Sequence, residues 1–163
     1  MTPAPTDTRH VRLSAAQGEL VLAVVDGGAE ITRTALPLAW GRLRERFVRH
    51  AIPSEAEVEH AINFIEDALM ERPALREHGG LALVSADPVL RAVLGRAGTG
   101  AGTWSRGDVE ALFTRYARIS MGGSPARDAI EVRAEEYVAL LVLREILHHL
   151  DFAAITIVDE PRP

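Results

Sequence analysis

The sequence predicts an α+β domain: a small, mostly antiparallel sheet, built from an N-terminal hairpin plus short strands, covered by four or five helices. Three observations carry that reading. Paired glycines at Gly27-Gly28 separate two strand-like runs, several later segments place apolar residues at helical spacing behind capping residues, and short apolar runs at 81–85 and 154–158 punctuate those helices.

Residues 1–8 are small, polar and proline-containing and read as a disordered tail, as do residues 160–163, leaving residues 9–159 as a single domain. A short strand is expected near His10 to Leu13. Glu19 to Asp26 and Ala29 to Ala35 form the hairpin, because consecutive glycines supply the positive φ angles of a two-residue turn. The first of these strands is apolar on both faces and is expected inside the sheet. The second sets Ile31 and Ala35 against Thr32 and Thr34 and is expected to be more exposed.

Pro37 opens a helix with a stripe of Trp40, Leu43 and Phe47. Ser54 and Glu57 make a capping box for the next helix, whose apolar face is Val58, Ala61, Ile62, Ile65 and Leu69. Leu81 to Ser85 follows as a buried strand, and Asp87-Pro88 starts a helix that runs to about Leu94. Arg96 to Gly107 is rich in glycine and reads as a mobile loop with Trp104 as its one anchor. A helix from Arg106 to Ile119 is capped by Ser105 with Asp108 three residues on. Ile130 to Val132 reads as a strand, Arg133 to Leu150 as a helix that is apolar over most of its circumference, and Ala154 to Val158 as a closing strand.

Composition narrows the chemistry. All eighteen basic side chains are arginine, and there is no cysteine. A Schiff-base nucleophile, a P-loop lysine, a thiolate and a cysteine-ligated zinc are therefore excluded. The longest apolar runs, Leu20 to Val25 and Val138 to Leu143, are far shorter than the roughly 20 residues a membrane helix needs, so a cytoplasmic protein with no membrane partner is expected. The net charge of −5 alternates in sign along the chain. Residues 1–52 carry seven arginines against five acids, and residues 53–78 carry two against seven, which gives no extended basic face for nucleic acid.

Four features bear on function. Gly98, Gly100 and Gly102 resemble a phosphate cradle, but Thr103 stands where a dinucleotide fingerprint needs a third glycine or alanine, so no cofactor is expected. Arg42, Arg44, Arg46 and Arg49 cluster on the first helix, and Arg42, Arg46 and Arg49 with Trp104 are the candidate binding residues, although the acids of the following helix offer them internal partners. Glu57/His60 and Glu145/His148 both spell Glu-x-x-His, the pair used by di-iron carboxylate bundles, with Glu45 and Glu110 as nominees for the remaining ligands. Arg144, Glu145, His148 and His149 gather at the end of the last helix and are the candidate catalytic residues if the protein is an enzyme. The spacing of Arg144 and His149 resembles the short motif of HEPN-type ribonucleases; the resemblance implies an all-helical dimer in which this pair acts on an RNA phosphate. The i,i+4 pairs Arg144–His148 and Glu145–His149 and the helix dipole account for the same residues structurally.

No motif completes a catalytic set, so the expectation is a noncatalytic binding or protein-interaction module. It is expected to self-associate as a homodimer through the apolar last helix. A histidine-dependent hydrolase or ribonuclease using Arg144, His148 and His149 is the alternative, and a metal protein using Glu57, His60, Glu145 and His148 is the third reading.

Overall fold

The computed structural model describes residues 8–96 and 102–159. The tail assignments for 1–7 and 160–163, and the glycine run 97–101, lie outside the described residues. Six strands form one sheet: β1 (His10–Ala16), β2 (Glu19–Asp26), β3 (Ala29–Leu36), β4 (Ala82–Ser85), β5 (Thr103–Ser105) and β6 (Ala154–Ile157), in the order β3-β2-β1-β4-β6-β5. Three of its five pairings are antiparallel, and β1–β4 and β4–β6 are parallel. Five helices of at least two turns accompany it: α1 (Trp40–Phe47), α2 (Glu55–Met70), α3 (Pro88–Gly95), α4 (Arg106–Ser120) and, after the four-residue α5 (Pro125–Asp128), α6 (Ala134–His149). A 3-10 helix spans Pro73–His78.

The expected α+β class with a mostly antiparallel sheet is thus present, with a parallel centre that was not foreseen. Its local logic follows the sequence. Gly27 and Gly28 turn the β2–β3 hairpin with φ of 56° and 81°. A second hairpin joins β1 to β2 through Gln17 (φ 53°) and Gly18 (φ 81°), so β1 extends to Ala16 rather than stopping near Leu13. Strand β2 is buried from Leu20 to Val25 and lies inside the sheet, while β3 forms an exposed edge, with Ile31 55% accessible. The arginines flanking Ala23 in register, Arg12 and Arg33, both reach Glu30, at 2.8 and 3.4 Å.

Two expectations are corrected. Thr103–Ser105 is not loop but strand β5, paired with β6, and its Trp104 is only 6% exposed within the core. Ile130 to Val132 is not a strand. Pro125 starts α5, Ala129 adopts a left-handed conformation (φ 54°), and Arg115 donates to the Asp128 carbonyl, which leaves Ile130 to plug the core alone.

Helix α6 contacts α1, α2, α3 and α4. From Tyr137 to Leu143 every residue is at most 1% exposed, as are Ile146 and Leu147. The apolar circumference that suggested a dimer is therefore consumed within the chain, because an all-round apolar helix is satisfied by burial on all sides. No helix among the described residues is long and apolar enough to cross a membrane.

The turn from the 3-10 helix into β4 is held by close approach. A Cβ added to Gly79 would lie 2.5 Å from the Leu150 carbonyl oxygen and 3.0 Å from that of Asp151, both backbone atoms that cannot swing aside. Gly79→Ala is expected to destabilise the protein by about 2 kcal/mol or more, read by urea unfolding.

Glu57 supplies a second test. Burial pushes its carboxyl up, but hydrogen bonds from Ser54 N, His50 and Arg49 N outweigh this and hold it at about 2. A folded value below the unfolded one contributes stability above pH ~4.5, and that contribution is lost as pH falls towards 2. Glu57→Ala is expected to cost about 1 kcal/mol at neutral pH, with the difference from wild type narrowing below pH ~4 as the unfolded-state carboxyl takes up a proton that the folded one does not.

Candidate functional site

The three parallel strands end on the same edge of the sheet, and ligands in such sheets bind outside the carboxyl ends of the strands. Above the ends of β1 and β4 lies a hollow of about 300 Å³ lined by Gln17, Gly18, Arg42, Asp87, Pro88 and Glu135. The β1–β2 turn forms one wall. Arg42 from α1 lies over it, with Nε 2.9 Å from where a Cβ on Gly18 would stand, so only glycine admits the guanidinium so closely. Arg42 forms no ion pair among the described residues.

The floor is built by Ser85 and Asp87. Ser85 Oγ donates to the Leu13 carbonyl at 2.7 Å and accepts from Asp87 N at 3.1 Å, which fixes the ends of β1 and β4 together. Asp87 Oδ1 caps α3 by accepting from Val89 N and Leu90 N. Arg91 ties α3 to the segment after β6, through the Val158 carbonyl at 2.7 Å and Asp159 at 2.9 Å. The mouth thus offers one uncommitted guanidinium, a turn with left-handed backbone and the Glu135 carboxylate from the first turn of α6.

A second polar concavity lies at the opposite edge of the sheet, where α6 ends and β6 has yet to begin. It has a volume of about 470 Å³, and its lining includes Glu66, Arg106, Val109, Glu110, Glu145 and His148. Arg144 donates through Nε to Glu110 at 2.7 Å and through Nη1 to Glu145 Oε1 at 2.7 Å, and its guanidinium stacks 4.3 Å from the Phe113 ring centroid. His149 Nε2 lies 3.3 Å from Glu66 Oε1 and 3.1 Å from Glu145 Oε2. Glu145 is only 2% exposed; burial pushes its carboxyl up, and the neighbouring Arg144 only partly opposes this. Burial lowers Arg144, but Glu110 and Glu145 reverse the effect and hold it above its ordinary value.

The structure therefore brings Arg144, Glu145, His148 and His149 together, with Glu66 and Glu110 added from α2 and α4. His148 lines the cleft, its ring set edge-on to that of His149 at 5.1 Å. The other candidates disperse. Glu57 turns back to Ser54, Arg49 and His50 while His60 is exposed, so Glu57 and His60 do not join Glu145 and His148 in one metal set. Arg46 stacks on Phe47 and Phe64, at 5.1 and 4.4 Å, and lines a shallow hollow with Arg42, whereas Arg49 is linked to Glu57 through its backbone N–H, so the three arginines do not form one patch. Trp104 is core, as described above. Among the described residues no ion pair joins an arginine of α1 to an acid of α2.

No protein-family model matches the sequence, and no curated protein does. The fold is nevertheless shared with solved phosphatase-type structures. The Aquifex aeolicus PPX-GPPA enzyme superposes with a TM-score of 0.69 at 12% identity over 93% of this chain and 53% of its own. An exopolyphosphatase-like protein gives 0.70 at 11% identity over 96% and 56%, and an exopolyphosphatase from Cytophaga hutchinsonii 0.68 at 14% over 93% and 53%. This chain spans about half the length of those proteins.

That likeness corrects the expectation of a noncatalytic interaction module, since these solved structures with the same fold are phosphatase-type proteins. The ribonuclease alternative falls with it. The HEPN motif implies an all-helical protein, whereas here a six-stranded sheet is present and Arg144 is held by two carboxylates and a ring. The third reading fails because Glu57 and Glu145 belong to different clusters.

Arg144 is the residue on which the second concavity depends. Arg144→Ala leaves Glu145 buried without its guanidinium and is expected to destabilise the fold by about 3 kcal/mol, whereas Arg144→Lys recovers part of the loss; both are read by thermal and urea unfolding.

Proposed function

We propose that this chain is a phosphatase-type hydrolytic domain that takes phosphoanhydride chains, of the kind inorganic polyphosphate presents, at the mouth above β1 and β4. The supporting observation is the fold likeness to exopolyphosphatase-type proteins across nearly the whole chain. The geometry of the mouth is compatible with it. Arg42 offers a planar fork that suits two phosphate oxygens, and the Gln17-Gly18 turn lines the same hollow. In this reading Glu135 orients the attacking water, and the bond broken is the terminal P–O–P link, with inorganic phosphate released.

In-line attack on a phosphoryl group asks the protein mainly for positioning and charge stabilisation. A lysine-free site leaves that task to arginine and backbone donors. Phosphate release from inorganic polyphosphate is the assay. Arg42→Ala is expected to lower kcat/KM by about 10–100-fold, the scale of a lost charge-assisted contact, with the unfolding midpoint unchanged. Glu135→Gln is expected to lower kcat with little effect on KM. Failure of the wild-type chain both to bind polyphosphate and to release phosphate from it would exclude the reading.

A further inference from the structure

The second concavity holds a group of side chains that the mouth does not use. Glu66 on α2 and Glu145 and His149 on α6 each present one oxygen or nitrogen within 4.8 Å of the other two. The distances from His149 Nε2 to the two carboxylate oxygens are 3.3 and 3.1 Å. A tetrahedral zinc ion with bonds of about 2.0 Å separates its ligand atoms by about 3.3 Å. The two edges that now hold a hydrogen bond and an ion pair therefore also have the length of the edges of a coordination tetrahedron.

A second observation is independent of that spacing. Glu145 is only 2% exposed; its Oε1 accepts from Arg144, and its Oε2 meets only the His149 ring, in an ion-pair contact at 3.1 Å. Oε2 accepts no hydrogen bond among the described residues and is directed at the space shared with His149 and Glu66. A carboxylate oxygen in a cleft whose one neighbour is an imidazole outside hydrogen-bonding alignment keeps lone pairs free for a cation seated between the two. Charge points the same way. Glu66, Glu110 and Glu145 face the cleft against Arg144, while Arg106 is drawn off to Asp151 at 3.1 Å and to the Phe152 carbonyl.

We propose that Glu66, Glu145 and His149 form a three-ligand site for a divalent ion of the zinc type, its fourth position open to the cleft beside His148 and Glu110. Arg144 acts on it through Glu145: by fixing Oε1 it turns Oε2 to the metal, the outer-shell role that orients a ligating carboxylate. This ligand set differs from the Glu-x-x-His pairs of the sequence, since it takes one residue from α2 that no local motif marks and His149 rather than His148. The site lies at the opposite edge of the sheet from the mouth and does not depend on the phosphatase reading.

Titration calorimetry of the chelator-treated full chain with Zn2+ is the test, supported by the visible spectrum with Co2+. One ion per chain is expected, with a tetrahedral Co2+ spectrum and a rise in Tm of about 5–10 °C at a hundredfold excess over Kd. Glu66→Gln and His149→Gln are both at partly exposed positions, which keeps the fold testable by circular dichroism. Each is expected to weaken binding by at least about 10–100-fold, whereas His148→Gln retains it. Absence of saturable binding to the wild type overturns the proposal. So does undiminished binding in folded Glu66→Gln and His149→Gln, which would place the ion on other surface histidines.

Discussion

The burial of α6 on every side is the constraint to which the other elements answer. A helix whose residues from Tyr137 to Leu143 are all sequestered cannot lie on a surface, so four other helices surround it and it shares one apolar core with the sheet. Each neighbour then needs its own apolar stripe directed inward. That is what Leu43, Ile65, Val93 and Leu112 supply from α1, α2, α3 and α4. Polar residues on α6 are tolerated only where partners reach them: Glu136 is met by Arg96 at 2.8 Å, and Glu145 by Arg144 and His149.

Packing around this helix also separates the two polar concavities. The first turn of α6 brings Glu135 to the carboxyl ends of β1 and β4. The last turn brings Glu145 and His149 to the edge where β6 starts. Sixteen helical residues span about 24 Å at the standard rise, so the two groups are held apart by a rod that is packed along its whole length. Chemistry at one end is insulated from chemistry at the other unless the core itself rearranges.

What the sequence made legible was local. Gly27-Gly28, the Ser54/Glu57 and Ser105/Asp108 boxes and the Asp87-Pro88 start each encode their structure within a few residues, and each is realised. The parallel pairing of β1, β4 and β6 is decided by crossovers of scores of residues, for which no single residue is a marker. Trp104 illustrates the cost of a local reading: flanked by glycines it looks like a loop anchor, yet its strand exists only because Thr156 and Ile155 lie opposite. The same holds for the sites. Arg42 and Glu145 were visible as charged residues in clusters, but Arg42's neighbour Gly18 is 24 positions away and His149's neighbour Glu66 is 83 positions away. Periodicity on one helix cannot report a partner on another.

The place of α6 after the helices that pack on it has a consequence for biosynthesis. The hairpins of β1, β2 and β3 have short-range partners and can pair while the ribosome is still at work, but Leu38, Leu43, Ile65 and Leu90 have no centre to pack on until residues 134–149 have emerged. At roughly 5–20 residues per second, the 47 residues of α1 to α4 wait for several seconds with their inward faces uncovered. Consolidation of the domain is thus a late, nearly all-at-once event. A nascent chain halted before Ala134 presents a sheet and four sticky helices rather than a smaller folded protein, which makes the interval before the last helix emerges the moment at which a holding chaperone has the most to protect.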